Sequence, residues 1–292
     1  MKQRVQRNSR LVRASWLFLL RYRMLLLYPL LSGLAVSLIA GYVPLALVRA
    51  RLAEENAMFA VTPQGILGFL ILYFATCATI QFFNVMLVVD AVARLDGPQR
   101  WRLNGWRVAV RRFPAIVVYA VLASDLVSIP IRVIHWVSWR VGIRSLPEPG
   151  AWSLATFLGA PVIAVEGLGA RPALHRSEAL LRSVWSDRFV GGTGVEVARR
   201  SVLILTFVGG LGLLILVALL NYDPATMAMA VLWVAVFIFL VITGSAVGTI
   251  YCTATYRHSV GQPVPGFEAL NDMPGAVPSD SVPREAVQPR MV

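Results

Sequence analysis

The chain has 292 residues, of which 57% are hydrophobic and only 14% are charged. Soluble domains carry about 25% charged residues, so this composition excludes a protein whose whole surface is in water. The formal net charge of +12 indicates a negatively charged partner, which is either nucleic acid or an anionic membrane face. The basic residues stand between long apolar runs, which favours the membrane and argues against nucleic acid.

The first segment, residues 1–23, is basic and contains no acidic residue. Its second half places large apolar side chains among arginines, as in amphipathic helices that lie in the headgroup plane; these side chains are Leu11, Trp16, Leu17, Phe18 and Leu20. The apolar run that follows is longer than the roughly 15 residues of a signal peptide's apolar region. We therefore expect a retained first membrane helix.

Six segments are long and apolar enough to cross a bilayer, which takes roughly 20 residues of helix. They are residues 24–47, 66–89, 114–136, 152–168, 201–222 and 227–251. The fourth is the weakest, because it is short and contains Gly159, Pro161 and Glu166. The runs are continuous and do not alternate as barrel strands do, so the sequence predicts an all-α bundle of about six transmembrane helices within residues 24–256.

The loops orient this bundle. Nineteen basic residues fall in the N-terminal segment and in the loops after the second and fourth helices, against four in the loops of the opposite side. The positive-inside rule places the richer side in the cytoplasm, together with both chain ends. If the fourth segment failed to cross, six arginines of the loop 171–200 would lie outside, so the charge pattern favours counting it.

Two further stretches, residues 100–113 and 172–189, also combine arginines with large apolar side chains. We predict three interfacial amphipathic helices on the cytoplasmic side, which contact the lipid bilayer and its anionic headgroups. Residues 257–292 are rich in proline and poor in large apolar side chains, which predicts a disordered cytoplasmic tail.

Asp125 is predicted near the middle of the third helix, where an unpaired carboxylate is costly. Arg132 follows two turns later, and Pro130 between them is a candidate kink. One reading is a proton or ion relay, or a polar substrate path. The other is a structural pair that neighbouring helices satisfy.

Gln81 and Asn84 lie on the second helix, and Glu166 ends the fourth. Amides between membrane helices commonly form interhelical hydrogen bonds, and a ligand contact is the alternative. Glu166 is expected to pair with a nearby arginine.

Small residues recur four apart in three of the predicted helices: Gly33, Ser37 and Gly41; Ala75 and Thr79; and Gly244 and Gly248. Such spacing permits close helix contact, either within one chain or between copies. The sequence does not decide between these, so the oligomeric state stays open.

No catalytic motif is present: there is no G-x-S-x-G, Walker or zinc-ligand pattern. Cys77 and Cys252 do not suggest a disulfide framework. We therefore expect no enzyme activity, no metal and no cofactor.

Three patches of the chain resemble a family of uncharacterised bacterial membrane proteins, domain-of-unknown-function family 6159. The patches are Ser15, Trp16 and residues 21–33; Phe82, Phe83, Asn84, Val85, Ala93, Arg94, Leu95, Asp96 and Gly97; and Pro161, Glu166, Gly167, Ala173, Leu174, Arg176, Ser177, Leu180, Leu181, Arg182 and Trp185. The resemblance spans roughly residues 10–255. It implies six helices in a bacterial plasma (inner) membrane and no particular reaction, ligand or cofactor.

These observations favour a non-enzymatic scaffold or accessory factor of the plasma membrane. The alternative is a small-molecule or ion permease with a polar path around Asp125. Third is a membrane enzyme, for which the sequence offers no residues.

Overall fold

A computed structural model describes residues 2–52, 63–97, 105–141, 151–185, 209–210, 212 and 224–267. Within these ranges all regular structure is helical, which confirms the predicted all-α class. The fifth predicted span, residues 201–222, lies almost wholly outside them. The α-helices are α1 (Lys2–Arg21), α2 (Leu27–Leu52), α3 (Pro63–Leu95), α4 (Gly105–Arg111), α5 (Phe113–Ala123), α6 (Asp125–Arg140), α7 (Ala151–Phe157), α8 (Gly159–Val165), α9 (Ala170–Trp185) and α10 (Pro224–Ser259).

Proline marks the start of many of these helices. It lies within the first three residues of six of them, at Pro29, Pro63, Pro114, Pro161, Pro172 and Pro224. The amides of the first turn have no partner inside a helix, so a proline there removes no hydrogen bond. Proline therefore marks the start of these six helices and costs them no hydrogen bond.

Two described helices are long and apolar enough to cross a membrane, Ile66–Leu95 and Val231–Ser259. They match the second and sixth predicted segments. Two bent helix pairs raise the number to four if each pair is one span: Arg10–Arg21 with Arg23–Ile39, and Phe113–Ala123 with Asp125–Ser138. The described part of the chain thus contains two to four candidate spans, fewer than the six expected.

The first bend separates α1 from α2 by 99°. A short 3-10 helix, Arg23–Leu26, makes the corner. One face of α1 is buried at four-residue spacing, at Leu11, Ser15 and Leu19, where the helix packs across the bundle and touches α10. The predicted amphipathic helix therefore exists and lies across the end of the bundle.

Two hydrogen bonds show that α3 and α10 run in the same direction. The Thr249 hydroxyl reaches Asn84, and the Arg257 guanidinium reaches the Val92 carbonyl, with the same sequence offset of 165 residues in both pairs. By contrast α2 runs antiparallel to α3, because Tyr28 near its start donates to Asp90 near the end of α3.

The fourth predicted segment is not one continuous helix. It is two seven-residue helices, α7 and α8, that meet at Leu158. The Leu158 amide at this break donates to the buried Ser177 hydroxyl at 3.0 Å, so the freed backbone group is satisfied in the protein. The expectation of one continuous helix is corrected here, because a side chain of α9 stabilises the break.

The α7–α8 pair nevertheless runs alongside the α5–α6 pair, in the opposite direction. Trp152 donates to Ser128 at 3.0 Å, and Tyr119 donates to the Thr156 carbonyl at 2.8 Å. At the far end the Arg112 guanidinium packs against Gly167, whose φ of 70° suits a residue without a side chain. The two pairs therefore contact each other from α6 to the start of α5.

The third predicted segment bends by 49° at Ser124, six residues before the candidate kink at Pro130. The Ser124 hydroxyl donates to the Val121 carbonyl, Ser128 donates to that of Leu122, and the Leu126 amide donates to the Tyr73 hydroxyl. These groups satisfy the backbone where the helix is interrupted, so the bend forms where partners are available.

The predicted tail begins later than expected. α10 continues to Ser259, and Val264 and Phe267 are buried, with the Phe267 ring 6.2 Å from that of Phe18 on α1. Residues 257–267 therefore belong to the bundle, because they cover α1. Residues 268–292 lie outside the described ranges, and their disorder stays a prediction.

Candidate functional site

Most buried charges of the described residues collect at one end of the bundle, where α3 and α10 finish. We call this the charged end and define it by Asp90, Arg94, Asp96, Glu166, Arg176 and Arg257. Asp90, Arg94 and Arg257 are buried, whereas Asp96, Glu166 and Arg176 are partly exposed. Charged side chains are rarely buried unless they are paired, so the three buried ones need partners.

Asp96 and Arg257 join the ends of α3 and α10. The Arg257 Nη1 atom donates to Asp96 Oδ1 at 2.6 Å and to the Val92 carbonyl at 3.3 Å. The Arg257 side chain is only 4% exposed, whereas that of Asp96 is 36% exposed. The pair therefore joins a buried guanidinium to a carboxylate at the surface.

Glu166, which follows the last residue of α8, joins two other elements. The Arg176 Nε atom of α9 donates to both of its oxygens, at 3.3 and 3.2 Å, and the Tyr256 hydroxyl of α10 donates to Oε1 at 3.1 Å. The structure thus brings Glu166 to an arginine, as the sequence predicts. The tyrosine was not predicted, because it is 90 residues further along the chain.

Asp90 lies between α2 and α4. It accepts a hydrogen bond from Tyr28, and the Gly105 backbone at the start of α4 packs against Met86 and Asp90. A Cβ atom at Gly105 would come within 2.9 Å of the Met86 carbonyl oxygen. Only glycine therefore lets α4 approach α3 so closely.

Arg94, one turn after Asp90, holds the corner between α1 and α2. Its guanidinium donates to the Tyr22 carbonyl at 3.4 Å and lies 5.3 Å from the centre of the Tyr22 ring. Both contacts fix the residue at which the chain turns by 99°.

The two predicted amides lie together, away from the charged end. Asn84 Nδ2 donates to Gln81 Oε1 at 3.3 Å, and the Thr249 hydroxyl donates to Asn84 Oδ1 at 3.4 Å. This arrangement links α3 to α10, which is the interhelical role that amides commonly have in membranes.

Asp125 is the first residue of α6, at the bend, and it is exposed. A carboxylate is favoured there by the helix dipole, which the sequence reading of a continuous helix missed. Its neighbour Leu126 contacts Tyr73, about 12 Å along α3 from Gln81 by the helical rise. The side chain of Arg132 lies outside the described residues.

The four predicted residues whose side chains the structure describes therefore do not form one site. Gln81 and Asn84 are together, Glu166 belongs to the charged end, and Asp125 lies at the bend. Sequence reasoning missed Tyr28, Arg94, Tyr256 and Arg257 as parts of the site. The signal that could have found the arginines is a charge within the last turns of a long apolar helix.

In the described ranges, no three His, Cys, Asp or Glu side chains are grouped closely enough to hold a metal ion. The ion pairs at the charged end connect helices instead. Such contacts fix the relative positions of α3, α8, α9 and α10.

Fold and site together define an all-helical, membrane-associated protein whose candidate spans are joined by buried polar contacts at one end. The model of a family of unknown function, DUF6159, matches residues 64–265. The chain belongs to this family, as the sequence resemblance predicts. No curated protein and no solved structure shows a significant match to it.

Proposed function

We propose that this chain is a multi-pass protein of a bacterial plasma membrane with six crossings and both ends in the cytoplasm. We propose further that it acts as a non-enzymatic scaffold or accessory factor. The family has no established function, so the proposal rests on helix directions, loop charge and the use of the polar side chains.

Helix direction supports an even number of crossings. α2 runs antiparallel to α3, and α3 runs parallel to α10. If all three helices cross the membrane, α3 ends on the side opposite to the start of α10. The chain between them therefore crosses the membrane an odd number of times. The total is then even, so the start of α2 and the end of α10 lie on the same side.

The choice of six over four depends on α7 and α8. This pair runs back along α5 and α6 and ends at Glu166, beside Tyr256. It thus returns the chain to the charged end, and the apolar residues 201–222 supply the remaining crossing. The three arginine-rich segments, which are the N-terminal segment and the loops after the second and fourth predicted helices, then lie on that side. The positive-inside rule places such segments at the cytoplasmic face.

One observation supports the proposed scaffold role: the polar groups inside the bundle bind one another across helices. Gln81, Asn84 and Thr249 link α3 to α10, and Glu166 links α8, α9 and α10 through Arg176 and Tyr256. A permease needs such groups along a hydrated route. The separation of Asp125 from Asn84 and Gln81 argues against that route.

Topology is tested by alkaline phosphatase fused after residue 147, 195, 223 or 292, combined with extraction of the chain by alkaline carbonate. We expect activity after residues 147 and 223 only, because the enzyme folds outside the cytoplasm, and we expect the chain to stay with the membrane. A cytosolic reporter after residue 223, or a chain released without detergent, contradicts the proposal.

The scaffold and the permease are separated by ion flux into proteoliposomes under an imposed potential. We expect proton and monovalent-cation flux equal to that of protein-free vesicles, for the wild type, for Asp125→Asn and for the control Glu178→Gln, whose carboxylate pairs with Arg182 on α9. A flux above that of empty vesicles that falls several-fold in Asp125→Asn, and not in Glu178→Gln, overturns the scaffold.

A further inference from the structure

We propose that α1 and α4 form one surface for anionic phospholipid, in which outward apolar side chains enter the acyl boundary and arginines bind the lipid phosphates. We call it the lipid-binding surface and define it by the exposed residues of α1 and α4, chiefly Arg10, Arg13, Leu17, Leu20, Trp106 and Arg107. This inference rests on the proposed membrane topology and names the partner of the cytoplasmic face.

Besides the face that packs on the bundle, α1 has a second, outward apolar face. Trp16, Leu17 and Leu20 are exposed, and they are flanked by the exposed arginines Arg10 and Arg13. The core-facing residues already fill the contact with the protein. The outward face therefore needs a second apolar environment next to a region that accepts positive charge.

The exposed apolar surface continues from α1 around the corner onto α2. Met24 and Leu27 at the corner are exposed, and so are Leu30, Leu31 and Leu34 on α2. Because the bend is 99°, a crossing α2 places α1 parallel to the membrane plane. Its outward apolar side chains then lie where the acyl region begins, with the arginines at headgroup level.

α4 repeats this chemistry on the other side of Asp90. Trp106 and Val110 are exposed one turn apart, and Arg107 and Arg111 are exposed beside them. Asp90 positions both helices, since it holds Tyr28 at the corner after α1 and packs against Gly105 at the start of α4. The two amphipathic helices thus lie at the same end of α3.

The charge of this surface favours lipid phosphate. No acidic residue occurs in residues 1–53 or 97–124, so every ionised side chain of these two segments is positive. A guanidinium binds phosphate through paired hydrogen bonds, and the negative charge of an anionic leaflet attracts basic residues near its surface.

α9 provides a matched contrast at the same end. Its apolar residues Ala173, Leu174 and Leu181 are buried in the protein. Its outward face has Arg171 and Arg182, and Arg182 is paired with Glu178 at 2.9 Å. The prediction that all three amphipathic helices lie among the lipid headgroups is therefore proposed only for α1 and α4.

The test uses the full chain in detergent micelles with equal phosphatidylglycerol and phosphatidylcholine, and counts retained lipids by native mass spectrometry. We expect the wild type to retain phosphatidylglycerol in preference to phosphatidylcholine. The variant R10Q/R13Q should retain less phosphatidylglycerol than the wild type, by a factor on the order of ten. The control R171Q/R182Q removes the same charge and should stay within about twofold. Excess inorganic phosphate should not displace the lipid, because phosphate lacks the acyl chains.

Equal retention of the two lipids by the wild type, or equal losses in the two double variants, overturns the proposal. The variant L17S/L20S provides a second measurement: it keeps every arginine and should lower retention of both lipids. Circular dichroism confirms that each variant is folded. A chain that resists carbonate extraction yet shows no lipid preference refutes only this surface, whereas a chain released by carbonate refutes the proposed function.

Discussion

Arg257 is the residue whose environment most depends on a single partner. Its guanidinium lies among Val92, Asp96 and the end of α10, and an unpaired charge at such a position is costly. Surface pairs contribute far less, because water screens both charges. The chain offers one of each kind for comparison.

Asp96→Asn should lower the free energy of unfolding by about 1–3 kcal/mol, because it leaves the buried Arg257 charge without its carboxylate. Thermal unfolding in detergent measures the change. The matched control is Glu178→Gln, which breaks the exposed pair with Arg182 and should cost no more than about 0.5 kcal/mol. Equal effects of the two variants would show that the buried pair is not special.

At the scale of elements, the close approach of α5 to α8 depends on glycine. A Cβ atom at Gly159 would overlap the buried Tyr119 ring, whose hydroxyl binds the Thr156 carbonyl. Gly33 on α2 differs, since nothing lies within 4 Å of a Cβ built there. The small residue predicted to pack is therefore open within the described residues. The tight contact lies instead at Gly159, which the sequence reading did not single out for helix packing.

Gly159→Ala should destabilise the fold by about 1–3 kcal/mol, because the Tyr119 ring must shift out of a packed site. Gly33→Ala should be neutral or stabilising by up to about 1 kcal/mol, since alanine favours helix. Chemical denaturation of both variants in the same detergent compares them. A larger loss in Gly33→Ala would instead indicate a contact with a second copy at that face.

At the scale of the whole molecule, the first and last described segments close the charged end together. The Phe18 ring of α1 faces the Phe267 ring, and Phe267 is fully buried. The ends of the domain are thus held by each other, which fixes α1 across the bundle.

Phe267→Ala should lower stability by about 2–4 kcal/mol, because it removes a buried ring between α1 and α10. A chain that stops after Phe267 keeps this contact and should melt like the full chain. Thermal unfolding of both proteins decides this. A truncation that destabilises as much as Phe267→Ala would show that residues 268–292 also belong to the folded domain.

The local elements could be predicted because their causes are local. A run of apolar residues needs a helix in lipid, and arginine among leucines at helical spacing needs an interface, so α1, α3 and α10 follow from the sequence. The bond between Asn84 and another helix was predicted in kind for the same reason. Its partner Thr249 was not, because the two are 165 residues apart.

The bend at Ser124 and the break at Leu158 show what the sequence did not reveal. Both interrupt segments that read as single spans, and each is stabilised by a hydroxyl from elsewhere: Tyr73 at the bend and Ser177 at the break. Pro130, the local kink signal, lies inside α6 and does not mark either interruption. An interrupted helix is allowed in an apolar layer only where another element satisfies its backbone.

The sequence alone determined that this chain is helical, because its hydrophobic runs are long and continuous. It also determined that much of the surface is apolar, because few residues are charged. Only the tertiary structure decided which charges meet, since Asp96 and Arg257 are 161 residues apart and their encounter depends on two parallel helices in register. It also decided that Asp125 begins a helix at a bend, where a carboxylate is favoured by the peptide dipoles and does not lie within a continuous span.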